Sequence, residues 1–383
     1  MNVVHFSVTP LAGSPSRIVN AINTHTNINA ELIVLNPDAY GARTFEGGIG
    51  WNQNKYKCLE LIRSADILHI HHYFPLHSTN NPFGFDFTAM NIPIIRQFHS
   101  HPLSIAHGDK VLAKSIVNDK IPSLVTAQHP ERSFPFARIV PNIVPINDIA
   151  YTPCEDSDES HKIAFSPTFE SSAWATIQNG SRFDTKGAPE TIQLLKSIKL
   201  KHRSTQLQVI VNKPHVECLR LKREAALAID DLITGSYHLS SLETLSMGKP
   251  TLCYIDRRIE DVIKEITGCN EIPWVNTKIE EAEYVLDAFL SDPELRQSFG
   301  RESRKWMERY WNDTTLIKYY ETAYDDLLNA PHKYTQSRFN YDDTRERWLI
   351  KDQFEMKWKA RKAQANSGKL RTLWSHFFKA CEC

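Results

Sequence analysis

From the amino terminus, short apolar runs alternate with segments whose apolar positions recur every three to four residues. Residues 3–8, 31–35, 66–71, 92–98, 124–127 and 137–140 read as strands, and residues 18–22 and 55–62 as helical. Strand interleaved with helix predicts a doubly wound α/β domain over residues 1–150. Residues 151–162, acidic and aperiodic, read as a linker. A second series follows, with strands at 162–165 and 207–211 and helices at 189–198 and 216–227. In residues 230–255, Leu232 and Ile233 form a strand that turns at Gly235-Ser236. The helical pattern of Leu242, Leu245 and Ser246 then stops at Gly248-Lys249-Pro250, and a last strand spans 251–255. Segments 258–266 and 279–291 continue the series, so a second domain is placed at 163–305. The amphipathic stretch 293–328, with Trp306, Tyr310, Trp311, Leu316, Tyr319, Tyr320 and Tyr324, supplies mainly core aromatics. Its portion 306–330 follows the second domain, and 331–383 is a separate tail.

The unit 230–255 carries the most chemistry. A strand, a small-residue turn and a helix aim the first backbone N–H groups of the helix, at Leu239, Ser240 and Ser241, toward an anion such as a diphosphate. Glu243, one turn further, is placed to accept hydrogen bonds from sugar hydroxyls. The same residues also read as an ordinary capped helix with a solvated glutamate.

Composition narrows the setting. The chain has 383 residues, 41% of them hydrophobic, which suffices for two domains plus an appendage. The 45 basic and 45 acidic residues cancel, so the whole molecule is no generic nucleic-acid binder. The amino terminus reads directly as a strand rather than a signal peptide, and no apolar run approaches the ~20 residues of a membrane span. Seven cysteines lack metal-finger or disulfide-framework spacing, which fits a cytoplasmic protein. The tail is basic and aromatic. Leu370, Leu373, Trp374, Phe377, Phe378 and Cys381 line one helical face, so 369–381 is expected to lie on an anionic membrane surface or to dock on protein.

Other candidate residues sit where α/β folds hold ligands. The first strand-to-helix loop contains Gly13, Ser14 and Arg17, without a Gly-x-Gly-x-x-Gly or Walker pattern. Segments 66–72 and 96–102 bring five histidines to two strand ends. Neither has the helical His pair with a glutamate of a hydrolytic zinc site, so no metal is expected. Ser166 follows the first strand of the second domain, Lys186 opens its helix, and Arg182 lies in the long loop between them. Asn212 ends the next strand. The one Asp-x-Asp, Asp156-Ser157-Asp158, falls in the acidic segment read as a linker.

The segment from Gly235 through Glu243 to Pro250 resembles the donor signature of the GT-B glycosyltransferases, in particular the retaining glycosyl transferases group 1 (family 4). That signature has two glutamates separated by seven residues; here the second is Glu243 and the first falls on Gly235. The resemblance covers about residues 1–330. It implies an α/β fold of two Rossmann-like domains facing a cleft, with the helices near 306–330 returning to the first domain and a helical tail beyond. It implies transfer of a sugar from a nucleotide-diphospho-sugar to a glycan or lipid-linked acceptor, with retention, without a metal or other cofactor, as in bacterial surface polysaccharide synthesis at the inner face of the membrane. Among the residues it carries over, His99 lines the cleft near the transferred sugar, Lys186 clamps the diphosphate with Arg182 in place of the usual arginine, and Gly13 and Ser14 form the loop against the phosphates. Glu243, Ser240 and Ser241 hold ribose and diphosphate. A nucleotide-sugar epimerase on the same fold and a non-catalytic scaffold are the competing readings, and the oligomeric state is open.

Overall fold

The computed structural model describes residues 1–45, 47–77, 81–128, 134, 136–154, 161–167, 186–334 and 359. The first half builds a seven-stranded, fully parallel sheet from β1 (Asn2–Ser7), β2 (Asn29–Val34), β3 (Ile49–Gly50), β4 (Ile67–His71), β5 (Ile94–Phe98), β6 (Ser123–Thr126) and β7 (Arg138–Val140). Its order is β3-β2-β1-β4-β5-β6-β7, so the order reverses beside β1 and β4, where such sheets open a crevice. Helices cover both faces, which is why the strands are buried along nearly their whole length. The helix Ser14–His25, α1, starts directly from the β1 loop, with Ile18 and Ile22 buried beneath the sheet.

The second sheet has the order β12-β11-β10-β8-β9 and is again parallel. Its strands are β8 (Lys162–Phe165), β9 (Gln206–Val209), β10 (Leu227–Ile229), β11 (Thr251–Cys253) and β12 (Val275–Asn276). The helix Pro293–Tyr310 ends at Trp311, and the Asn312 side chain caps the next turn by accepting from Thr315 N–H at 2.9 Å. The segment read as one amphipathic stretch is therefore broken there. The following helix, Lys318–Asn329, lies on the first sheet. Trp311 donates to the Asn142 carbonyl at 3.0 Å and Tyr320 to the Pro141 carbonyl at 3.1 Å, while Arg138 pairs with Asp326 at 2.7 Å.

Two expected elements shift. The helix anticipated over 216–227 stops at Arg223, and its last residue, Leu227, begins β10 instead. Leu232 and Ile233 are not a strand. The Asp231 carboxylate accepts from the backbone N–H of Ile233 and Thr234 at 2.8 and 2.9 Å, a turn that ends the extended run. The short helices Pro102–Ile105 and Lys110–Val117 were not anticipated, nor were the two-residue strands β3 and β12.

Candidate active site

The carboxyl ends of the two sheets face one another across a cavity of about 450 Å³. The first sheet contributes the β1 loop through Leu11, Ala12 and Ser14, together with His72 after β4 and His99 after β5. The second contributes Ser166 and Pro167 after β8, Asn212 and Lys213 after β9, and Lys186 from the start of the helix Ala188–Lys201. The helix Leu239–Ser246, α7, points its first residues, Leu239 and Ser240, at the same space.

Backbone strain is concentrated here. Among the described residues, seven non-glycine positions have positive φ, and five of them line the cavity: Leu11, Ala12, His72, Lys186 and Asn212. Each such conformation costs on the order of 1–3 kcal/mol and persists where the surroundings over-determine it, which is characteristic of ligand sites. Asn212 is the least strained, because a short polar side chain tolerates the left-handed region.

Electrostatically the cavity is cationic. Arg43, Lys186, Lys213 and Lys222 line it, and Glu243 is the one carboxylate among the described lining residues. Lys186 is buried and donates to Asp230 at 3.0 Å. Burial opposes the charge on Asp230, but Lys186 and the bonds from His238 hold that carboxyl far below the usual range. Glu243 is likewise buried and is met by Arg17 at 2.5 Å, Lys222 at 2.6 Å and His215 at 3.1 Å. Burial alone would raise its pKa; the charges of Lys222 and Arg17 and the His215 hydrogen bond keep it well below the ordinary carboxyl value. One carboxylate facing Arg17 and Lys222 leaves a net positive cluster. Three of about four acceptor sites on Glu243 are used, so room for a donor hydroxyl remains on Oε2.

The sequence-predicted residues are placed as follows. Ser14, His99, Ser166, Lys186, Asn212, Leu239, Ser240 and Glu243 all line the cavity. Gly13 lies just behind it, at φ +77°, as the residue preceding α1. Ser241 does not line it: the side chain is buried and its hydroxyl donates to the His238 carbonyl at 2.9 Å, a cap internal to the helix. Arg17 is buried against Glu243 rather than lining the cavity. Arg182 and the 369–381 helix lie outside the described residues. Gly235 has φ +84°, and a Cβ there would stand 3.0 Å from Asp256 Cβ and Oδ2. The position where the family pattern has a glutamate is thus strained and crowded for a side chain in this conformation.

Sequence reasoning missed several lining residues. Lys222 and His215 project from the helix His215–Arg223, α6, which the sequence had marked only as helical. Gln128 and Asn142 come from irregular segments and join the domains: Asn142 donates to Gln128 at 3.0 Å, Gln128 donates to the Tyr237 carbonyl at 2.8 Å, and the Tyr237 hydroxyl donates to Asn142 at 3.0 Å. No local motif announces such a ring of bonds.

Behind His99 lies a cluster the sequence had only half disclosed. The β1–β4 register sets His5 opposite His69, and the two-residue strand period puts His71 on the same face. His5, His69 and His71 are close enough to hold a metal ion, with candidate nitrogens within 4.8 Å of one another. His5 and His71 share a direct hydrogen bond, while the Tyr324 hydroxyl lies between His69 Nδ1 at 2.7 Å and His5 Nε2 at 3.3 Å. His5 Nδ1 and His71 Nε2 are 3.0 Å apart with ring centres 5.2 Å apart, so the nitrogens point straight at each other. As arranged, the facing nitrogens of His5 and His71 are engaged with each other rather than turned to a common point. Burial lowers the pKa of all three, that of His5 to about 3 and those of His69 and His71 well below the ordinary imidazole value.

No family model matches the chain, and no curated protein matches it. Solved structures do. Sucrose-phosphate synthase from Thermosynechococcus elongatus aligns over 86% of this chain and 100% of its own, at 11% identity and a TM-score of 0.51. HepE from Anabaena, in complex with UDP-glucose, aligns over 85% and 100%, at 11% identity and 0.54. An alpha-glucosyltransferase bound to UDP-glucose and DNA containing an abasic site aligns over 86% and 99%, at 11% identity and 0.53. Identity this low speaks for architecture, and it agrees with the two sheets and the cleft between them: the chain has the GT-B fold, two Rossmann-like domains facing each other.

Proposed function

We propose that this protein is a glycosyltransferase that moves a sugar from a nucleotide-diphospho-sugar held by the second domain to an acceptor held by the first. The observation that carries the reading is the cationic cavity between the carboxyl edges of two parallel sheets, with the α7 N-terminus aimed into it. As the glycosidic bond to phosphate breaks, negative charge grows on the departing diphosphate. Lys186, Lys222, Lys213 and the helix N–H groups supply fixed positive potential for it. Glu243 would take a ribose hydroxyl on its remaining acceptor site, and His99 would meet the sugar. Uridine nucleotide sugars are the first donors to test, since two of the neighbours above are complexes with UDP-glucose.

The finer parts of the reading follow the site's chemistry. The sole carboxylate among the described lining residues is held ionised by its own cations, a poor choice for a base at the anomeric carbon. Retention, with the leaving phosphate taking the acceptor's proton, suits that arrangement, and the protein cations take the place of a metal. A glycan or lipid-linked acceptor of a bacterial surface polysaccharide fits a chain whose tail, 369–381, is basic and amphipathic.

Incubation with a panel of UDP-, GDP- and ADP-sugars, with and without glycan and lipid-linked acceptors, is expected to release nucleoside diphosphate with one donor, unchanged by EDTA. Nucleotide binding without turnover on any donor would replace this reading with a scaffold role. A full chain and one ending at Ser367 should differ in binding to anionic lipid vesicles; equal binding removes the membrane part.

A further inference from the structure

We propose that His72 is a sugar-binding residue: the left-handed turn that ends β4 takes its ring off the packed face of the strand and sets Nε2–H as a hydrogen-bond donor to a sugar hydroxyl oxygen. That the ligand is a sugar rests on the glycosyl-transfer reading; the placement and protonation of the ring do not.

Strand geometry alone would send this residue elsewhere. Side chains alternate along β4, so position 72 continues the face of Leu68 and Ile70. Both are fully buried in a cluster of apolar side chains that includes Phe6, Phe74 and Phe87. An imidazole carried on in that direction would be stranded among them. At φ +64° the chain instead leaves the strand, and His72 lines the cavity, with its ring centre 5.5 Å from that of His99.

A left-handed histidine is strained, and here the backbone is pinned on both sides. The His72 N–H donates to the Gln97 carbonyl at 2.7 Å, and the His72 carbonyl accepts from Arg96 Nη1 at 3.2 Å. Arg96 is buried and is itself ion-paired with Asp119 at 2.7 Å. The neighbouring strand β5 thus holds the turn, and a glycine would have adopted it at lower cost. What a glycine lacks is the ring.

The state of the ring follows from its surroundings. Burial, with nearby His107 adding to it, lowers its pKa to about 4, so at pH 7.5 it is neutral, with one N–H and one lone pair. Nδ1 is buried and has no hydrogen-bond partner. A proton placed there would be a donor with nothing to receive it, which folded proteins rarely leave. The proton therefore belongs on Nε2, where a ligand in the cavity can take it. A neutral donor adds no charge for a diphosphate, for which Lys186, Lys213 and Lys222 stand on the second domain. It suits a hydroxyl oxygen, on the transferred sugar or on the acceptor.

Long-range 1H–15N spectra of the full chain with 15N-labelled histidine, at pH 7.5 and without ligand, read the ring directly, its signals assigned by their loss in His72→Asn. Nε2–H on a neutral ring is expected; a charged ring or Nδ1–H overturns the proposal. Two variants then separate sugar from phosphate. Asparagine tolerates the backbone but carries no group at the Nε2 position, whereas glutamine puts an amide N–H there. Binding is measured for the nucleotide sugar that turns over in the panel above and for its nucleoside diphosphate, together with KM for the acceptor. In His72→Asn the diphosphate should bind as in the original protein, while nucleotide-sugar affinity or acceptor KM worsens by about three- to tenfold. The first loss locates the hydroxyl on the transferred sugar, the second on the acceptor. His72→Gln should recover part of either. Equal weakening of nucleotide sugar and diphosphate, no change at all, or a glutamine variant as poor as asparagine would overturn the sugar contact. A panel without turnover ends the glycosyl-transfer reading and the sugar contact with it, whereas the spectra decide the ring in either case.

Discussion

At the turn before the helix Ala188–Lys201, Lys186 and Gly187 both have positive φ, at +52° and +58°. Glycine at 187 serves two needs at once: it relieves the left-handed backbone, and it leaves room for Ile233, whose Cδ1 would lie 2.4 Å from an added Cβ. Gly187→Ala should therefore cost about 1–3 kcal/mol, seen as a fall in the urea midpoint without a change in slope. Adding Ile233→Ala removes the two closest contacts but not the φ penalty, so it should relieve only part of the Gly187→Ala loss, judged against Ile233→Ala alone. A Gly187→Ala protein as stable as the original would show that this turn is not over-determined. The Lys-Gly pair was visible in the sequence, as was the choice of Lys186 over its neighbours. What was not visible is Asp230, which lies 44 residues away and takes up the lysine's charge. Gly235 is a similar case: the departure from the family pattern is plain in the sequence, but its positive φ and the closeness of Asp256 need the fold.

Elements were legible wherever their periodicity was long. The strands of the first domain and both glycine-punctuated turns in the second fall within a few residues of expectation, because burial on both faces demands continuous apolar runs. The misplacement around β10 has a physical source: an apolar run of Ala225 to Ile229 has the same composition as a buried helix end, and length alone does not arbitrate. What joins elements was illegible. The carboxylate of Glu243 on α7 ties together Arg17 on α1 and Lys222 on α6, across the cleft between the domains. Glu243→Gln leaves two buried cations without their counter-charge and should cost about 3–5 kcal/mol. Combining it with Lys222→Met removes one orphaned charge, so the double variant should be more stable than Glu243→Gln alone. Thermal unfolding of the three proteins decides the point. Equal losses in the single and double variants would mean that the ion cluster contributes through shape rather than charge.

Over the whole molecule, the three buried histidines and the half-buried His72 shape how the fold meets acid. Burial is the leading cause of the depressed values at His5, His69, His71 and His72, reaching about 3 for His5 and about 4 for His72. The unfolded chain takes up protons at these residues near pH 6.5, while the native state refuses them until much lower pH. Between those limits the unfolded state binds more protons, so stability is fully present above about pH 6.5 and declines as pH falls through the window. Each group contributes a slope of at most about 1.4 kcal/mol per pH unit, so four acting together reach at most about 5.5. A domain with the usual 5–15 kcal/mol of stability cannot sustain that fall for long. Unfolding is therefore expected between about pH 6 and pH 4, before the ion-paired carboxylates of Glu243 and Asp230 begin to protonate. His72→Asn isolates one share of the slope, since asparagine tolerates the φ of +64° at this position. Urea titrations at pH 7.5, 6.0 and 5.0 should show a steep loss in the original protein and a shallower one, by up to one proton, in His72→Asn. A protein whose stability is flat from pH 7.5 to 5.0 would mean that these rings gain protons in the native state as readily as in the unfolded chain, and the buried cluster would then have to open to water without loss of the fold.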